Sequence, residues 1–198
     1  MKDYIVINGV TYDLVKREET VAAPGSKLAD YAVGDTVKLG SHEMVVLEHV
    51  GAATALIRKE LLRTREVFGE NNNYDGSNVD EICNEFADEL AGLVGEDNIL
   101  LHEVDLTSDD GLKDYGMVQR KASLLTTDRY RQYVEILDKH KIDAWWWLAT
   151  AFSTPAHDPD NWVKCVSPSG YIYGFNYYGF GVRPFCILKS DIFESFEE

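Results

Sequence analysis

Residues 145–188 constrain the fold more than any other stretch of this chain. Trp145-Trp146-Trp147-Leu148 opens it, a polar loop follows, and Gly181-Val182-Arg183-Pro184 runs into Phe185-Cys186-Ile187-Leu188. Apolar residues come in short runs broken by Gly, Pro, Asn and Asp, with no helical spacing beyond Asp143, so the segment reads as strands and turns. Twelve of the chain's twenty-three aromatic residues fall between Trp145 and Phe185. Those rings are either core or a recognition surface. Segment 170–180 mixes them with Gly and Asn, a blend of rigid amphipathic rings and small adaptable residues that suits recognition.

Upstream, strands come first and two helices follow. Residues 4–14 read as a β-hairpin turning at Asn8-Gly9, a dipeptide that accepts the positive φ of a two-residue turn. Residues 16–33 carry Ala23-Pro24-Gly25-Ser26 and no clear period, as expected of a linker or surface arm, and are a candidate for self-association. Strands are expected at Asp35–Leu39, Glu43–Val50 and Thr54–Lys59, turning at Gly40-Ser41 and Gly51-Ala52 in an antiparallel meander. Residues 60–76 are polar and loop-like.

Ser77 caps a predicted helix running to about Leu93, with Asp80 at its third position. Val79, Ile82, Cys83, Phe86 and Leu90 form its buried face, and Asp80, Glu81, Glu85, Asp88 and Glu89 its outer face. A strand at 98–104 and a loop at Thr107–Gly116 lead to a second helix. That helix starts at Thr126 or Thr127, ends near His140, and buries Tyr130, Tyr133, Val134 and Leu137. This order gives an α+β chain of mostly antiparallel strands with two helices, plus the N-terminal β-hairpin. Residues 1–32 form the hairpin and arm, and 33–198 one domain.

Charge narrows the function classes. The net charge is −15, and from Glu66 to Leu112 there are fourteen Asp and Glu without one Lys or Arg. Such a segment repels phosphates and disfavours direct nucleic-acid binding; it is a solvated face or a docking face for a basic protein. The apolar and charged fractions, 45% and 27%, are those of a globular protein. No apolar run reaches the roughly 18 residues of a membrane helix, so no membrane insertion is expected. Met1–Ile7 lacks a signal-peptide pattern, so cytoplasmic synthesis is expected, which also suits a virion protein. Cys83, Cys165 and Cys186 are odd in number and lack a Cys-x-x-Cys pair; they read as reduced core thiols.

Two motifs carry a resemblance. Trp146-Trp147-Leu148-Ala149-Thr150 and Gly181-Val182-Arg183-Pro184-Phe185 are similar to the Trp-Trp-Leu-Arg-Ser-Pro and Gly-Val-Arg-Pro-Ala elements that close a bacterial and phage family of uncharacterised function. Val33-Gly34-Asp35-Thr36-Val37, Met44-Val45-Val46-Leu47 and the helix from Ser77 match that family's earlier elements, and the likeness covers about residues 33–190. Ala149, Thr150 and Ala151 replace its Arg-Ser-Pro. The combination also resembles the C-type-lectin fold of formylglycine-generating enzymes and of the variable proteins of diversity-generating retroelements. That resemblance implies a C-type-lectin-like fold with paired terminal strands and a loop-rich half that displays a binding surface. In the variable proteins the diversified positions precede the Gly-x-Arg strand. Here that region holds Asn161, Asn176, Tyr177 and Tyr178.

Tyr171, Tyr173 and Phe175 share one strand face by alternation, with Ile172 and Gly174 on the other, so an inward Ile172 turns all three rings outward. Of Trp145, Trp146 and Trp147, two are expected in the core and one at a rim. Arg183 is expected to bond backbone carbonyls or a carboxylate from inside the fold. His157-Asp158-Pro159-Asp160-Asn161 reads as a side-chain-braced turn, with calcium the less favoured reading. No nucleophile elbow, phosphate loop or zinc-protease motif is present, and no cofactor is expected. The leading expectation is a non-enzymatic domain, of phage type, for host attachment or virion decoration. It presents Phe152, His157, Trp162, Tyr171, Tyr173, Phe175, Asn176, Tyr177 and Tyr178 to a protein or glycan. The alternative is an acidic inhibitor that binds a basic defence protein through residues 66–112.

Overall fold

The computed structural model describes the strands at residues 4–7 and 10–13 and the chain at 25–157, 160–176 and 179–193. In chain order the strands are β1 (Tyr4–Ile7), β2 (Val10–Asp13), β3 (Thr36–Leu39), β4 (His42–Val50), β5 (Ala53–Arg58) and β6 (Arg63–Glu66), followed by helix α1 (Asn78–Val94). Then come β7 (Ile99–Leu100), β8 (His102–Asp105), β9 (Met117–Arg120), β10 (Ala122–Ser123) and helices α2 (Thr127–Gln132) and α3 (Val134–Leu137). The chain ends with β11 (Trp146–Ala151), β12 (Val163–Val166), β13 (Ile172–Phe175), β14 (Phe180–Val182) and β15 (Phe185–Lys189). β1 and β2 pair antiparallel as expected, while their Asn8-Gly9 turn and arm residues 14–24 lie outside the described residues.

The meander forms where its turns allow. Leu39 faces His42 and Val50 faces Ala53, so each loop has two residues. Gly40 and Gly51 both take φ +59 at the first loop position, which a side chain would resist. The first sheet runs β10-β15-β5-β4-β3, with β7 beside β10 on the same edge of β15. The second runs β13-β12-β11-β14-β6, all antiparallel except the β11–β14 pair. β8 and β9 form a separate two-stranded ladder. The chain is thus α+β with mostly antiparallel strands.

Both main sheets are covered on both faces, and alternation shows it residue by residue. In β4, Met44 and Val46 join α1's Phe86 and Leu90 in one cluster, while Val45 and Leu47 join Tyr130, Tyr133 and Leu137 in another. In β11, Trp146 and Leu148 enter that second cluster, and Trp147 and Ala149 enter a third with Val79, Cys83 and Cys165. Burial of Trp146 and Trp147 with Trp145 at the rim follows from this arrangement. The three cysteines are buried and unpaired, and burial pushes each thiol up to about 12, so none is a ready nucleophile.

Several expectations change. β15 pairs with β5, not with the meander's first strand. Its unbroken Phe185–Leu188 run suits a place covered on both faces, whereas β3 alternates and sits at the edge. The chain ends meet just outside those strands, through Leu28 N to Ile192 O at 3.0 Å and Ala29 N to Ser190 O at 2.9 Å. Residues 27–31, assigned to the arm by sequence, pack with the main body, where Leu28 and Tyr31 are buried.

The stretch 60–76 contains β6, and β9 follows the 107–116 loop. The strand expected at 98–104 splits at Leu101 between two sheets. The second helix breaks at Tyr133 (φ −104, ψ 12), which leaves Val134 exposed and gives three helices in place of two among the described residues.

Asp80 moves furthest from its expected place. Ser77 Oγ does accept from Asp80 N at 3.2 Å, but the carboxylate is buried. Arg120 grips it, with Nε 2.8 Å from Oδ1 and Nη2 2.7 Å from Oδ2, and Gly76 N donates to Oδ2 at 3.0 Å. Removing Arg120 leaves that charge buried and unpaired. Arg120→Ala is expected to cost about 3–5 kcal/mol of stability in urea unfolding, and Asp80→Asn combined with Arg120→Ala to recover part of it.

His102 supplies a pH test. Burial first, and then the Arg129 guanidinium, lower its pKa to about 3, and its Nε2 lies 2.8 Å from Ser123 Oγ. The unfolded imidazole takes its proton near 6.5. A depressed folded pKa means that protons favour the unfolded chain. His102's contribution is whole above about pH 6.5 and is lost as the pH falls towards 3. Between those values the wild-type urea midpoint should fall more steeply than that of His102→Gln.

Candidate functional site

The second sheet brings together some of the expected rings and separates others. Register pairs Val166 with Ile172 and Cys165 with Tyr173, so Ile172 faces the side of Trp146 and Tyr173 the side of Trp147. Ile172 packs inward, as the outward reading of the rings requires. Tyr173 is 46% exposed and Tyr171 66%, but Phe175 is partly buried and packs on the third cluster, so it is not a projecting ring.

Tyr173 and Phe175 instead complete a chain of rings rooted in the core. Buried Trp147 lies 4.6 Å from Phe180, and Phe180 stacks on Trp145 at 5.5 Å and 21°. Trp145 in turn meets Phe175 edge-on at 5.3 Å and Tyr173 at 5.2 Å. Beside Trp145 and Phe180 runs a shallow groove of about 470 Å³, completed by Thr64, Arg65, Ala144 and Gly179. Trp145, Phe180 and Arg65 were not among the expected site residues. The Trp triplet held the signal for Trp145, since three consecutive rings cannot all be buried on one strand face, and Phe180 closes the aromatic segment 170–180; Arg65 carried no such signal.

Phe152 and Trp162 form a second patch on the opposite face. Their centroids are 6.0 Å apart, they are 39% and 40% exposed, and Lys164 Nζ sits 5.2 Å above Phe152. A Cβ on Gly174 would lie 3.2 Å from the Trp162 ring, on the Ile172 side of the strand. The expected site is therefore two surfaces. Tyr177 and Tyr178 lie outside the described residues, as do Asp158 and Pro159 of the turn considered for calcium. Among the described residues no group of three or more His, Cys, Asp and Glu is placed to hold a metal.

The loops that carry these patches are braced by polar groups. Asp110 accepts from Ser108 Oγ at 2.5 Å, Ser153 Oγ at 2.7 Å and His157 Nδ1 at 3.0 Å, which hold its carboxyl well below the usual range. Thr154 donates to Asp114 at 2.8 Å, and Asn72 donates to Ser153 O at 2.8 Å. Asn176 donates to Asp160 O at 2.7 Å. Expected site residues His157 and Asn176 thus brace loops. Ser153 donates to Asp110 rather than to His157, so these three side chains clamp loop to loop and do not activate a hydroxyl.

The acidic run is partly neutralised in space. Besides Arg120 on Asp75 and Asp80, Lys121 meets Glu96 at 2.5 Å and Lys164 meets Asp109 at 2.9 Å. Glu81, Glu85, Asp88 and Glu89 remain exposed on α1. No helix among the described residues is long and apolar enough to cross a membrane. No family model, curated protein or solved structure matches this chain.

Proposed function

We propose that this chain is a non-enzymatic recognition domain with a C-type-lectin-like arrangement, and that it holds a protein or glycan partner against the Trp145–Tyr173–Phe180 surface. The observation that carries this is the ring chain itself. Its inner members are fixed by packing, so an outer ring binds without freezing many torsions of its own. The groove beside it offers an apolar floor with Arg65 at the side, a fit for an aromatic or aliphatic side chain or for the apolar face of a sugar. The lectin-like reading is supported by the placement of the Trp-Trp-Leu strand next to the Gly-Val-Arg strand, while the separation of β3 from β15 departs from the paired terminal strands of that fold.

The acidic alternative loses four of its fourteen carboxylates to Arg120, Lys121 and Lys164, and its densest exposed set is Glu81, Glu85, Asp88 and Glu89 on α1. A glycan array, with cross-linking to candidate partner proteins, tests the ring surface. Tyr173→Ala should weaken a bound partner about thirtyfold, on the order of 2 kcal/mol, at nearly unchanged thermal stability. Trp146→Ala, at a ring 2% exposed, should instead lose roughly 3–5 kcal/mol of stability. A partner held equally well by Tyr173→Ala would sink the ring reading and favour α1.

A further inference from the structure

The groove beside Trp145 and Phe180 differs in charge from the rest of the molecule. The chain carries 34 Asp and Glu against 19 Lys and Arg, yet among the described residues this groove is lined by one cation, Arg65, and by no carboxylate. Glu66 and Asp143, the sequence neighbours of Arg65 and Ala144, are not part of its wall. Arg65 is exposed on the edge strand β6, and its guanidinium has no ion pair, hydrogen bond or ring contact. Arg120, Arg131 and Arg183, by contrast, are all engaged.

Backbone contact fixes where Arg65 starts. A Cβ on Gly179 would lie 3.2 Å from the Arg65 carbonyl carbon and oxygen and 3.3 Å from its Cγ, so glycine lets these two segments touch. The stacked Trp145 and Phe180 rings supply an apolar wall, and Thr64 adds a hydroxyl.

An unpaired guanidinium attracts an anion, and its planar fork matches a carboxylate through two parallel bonds. Repulsion by the net charge of −15 grows with the charge of the ligand, so a monoanion is favoured over a dianionic phosphate. The volume of about 470 Å³ suits a small ligand, whose pockets run from roughly 300 to 1,000 Å³. A protein partner would need about 800 Å² of surface. The aromatic wall calls for a rigid apolar face. A carboxylate, such a face and a hydroxyl edge occur together in an acidic sugar.

We propose that the groove binds a carboxylated sugar, a uronic or sialic acid unit. Its carboxylate pairs with Arg65, the C–H face of its ring covers Trp145 and Phe180, and a hydroxyl meets Thr64. This rests on the ring surface being the recognition site and names its ligand.

Titration of the full chain with methyl glucuronide, methyl N-acetylneuraminide and methyl glucoside, followed by NMR at the Trp145 indole N–H, tests it. Phosphate and the blocked dipeptide acetyl-glutamyl-phenylalaninamide serve as controls. At least one carboxylated sugar should bind about tenfold tighter than the glucoside, and the difference should shrink as salt rises to about 0.5 M. Arg65→Gln should remove that preference at an unchanged thermal midpoint, because its guanidinium gives up no bond in the fold. Arg63→Gln removes the same charge from an exposed residue of β6 that does not line the groove, and should keep the preference. Equal binding of all three sugars, or a preference that survives Arg65→Gln, overturns the carboxylate assignment and leaves the ring surface standing. A stronger response to phosphate or to the dipeptide overturns the sugar. So does the lack of any saturable shift up to about 100 mM. The ring surface itself falls only to a different result, an identified partner that ignores Tyr173→Ala.

Discussion

The Arg183 guanidinium joins the parts of this fold. It is 1% exposed, and its Nε donates to Arg58 O at 2.8 Å while Nη2 donates to Lys59 O at 3.1 Å and His140 O at 3.2 Å. Two chain crossings pass here side by side, one from β5 in the first sheet to β6 in the second, the other from β14 back to β15. Carbonyls at such a crossing have left their ladder and need donors. A planar fork spreads several donors over separate nitrogens in fixed directions, whereas a lysine ammonium gathers its three on one atom, and the face of Trp146 lies 5.3 Å from the guanidinium centre. Burial lowers the guanidinium to about 10, so it stays charged at neutral pH. The same crossing explains Gly181, where a Cβ would overlap the Leu61 side chain. Gly-Val-Arg-Pro is thus a junction: a glycine for close approach, an arginine for stray carbonyls, and a proline where no ladder bond is needed.

Covering both faces of both sheets follows from that junction. Once β5 and β15 lie together in one sheet and β6, β14 and β11 in the other, β4 and β11 each face two cores. Short strands then bury far more than an edge strand would. The half-buried Trp145 and exposed Tyr173 are where one of those cores reaches the surface, and that is why the ring chain is rigid.

How much of this was legible in the sequence depends on where each signal resides. Ser77 and the spacing of Val79, Ile82, Phe86 and Leu90 located α1 to within a residue, because capping and helical period are local. Gly40 and Gly51 fixed the meander for the same reason. β6, with Arg63-Thr64-Arg65-Glu66, has no apolar alternation because it is an edge strand exposed along most of its length. Asp80 read as solvated because its partner, Arg120, lies 40 residues downstream. The split of Phe152 and Trp162 from Tyr173 was equally hidden. Alternation sorts residues within one strand, but the side on which a neighbouring loop folds over is set by long-range register.

Charge makes the same point about function. Along the sequence, residues 66–112 are a block of one sign, and in space the cations of β9, the β9–β10 turn and β12 pair four of its fourteen carboxylates. What remains includes the outer face of α1 and the exposed Glu70, Asp97, Glu103 and Asp105. A field that is strong in composition is thus weakened where the loops meet. Short-range contacts then shape the surface locally: rings on one face of the second sheet and threonine hydroxyls beside α2. Both depend on loops braced through Asp110 and Asp109, whose carboxylates tie the 107–116 loop to β12 and to the 152–157 turn. Rigid secondary structure and the polar clamps between loops are coupled at Lys164, which bonds Asp109 and covers Phe152.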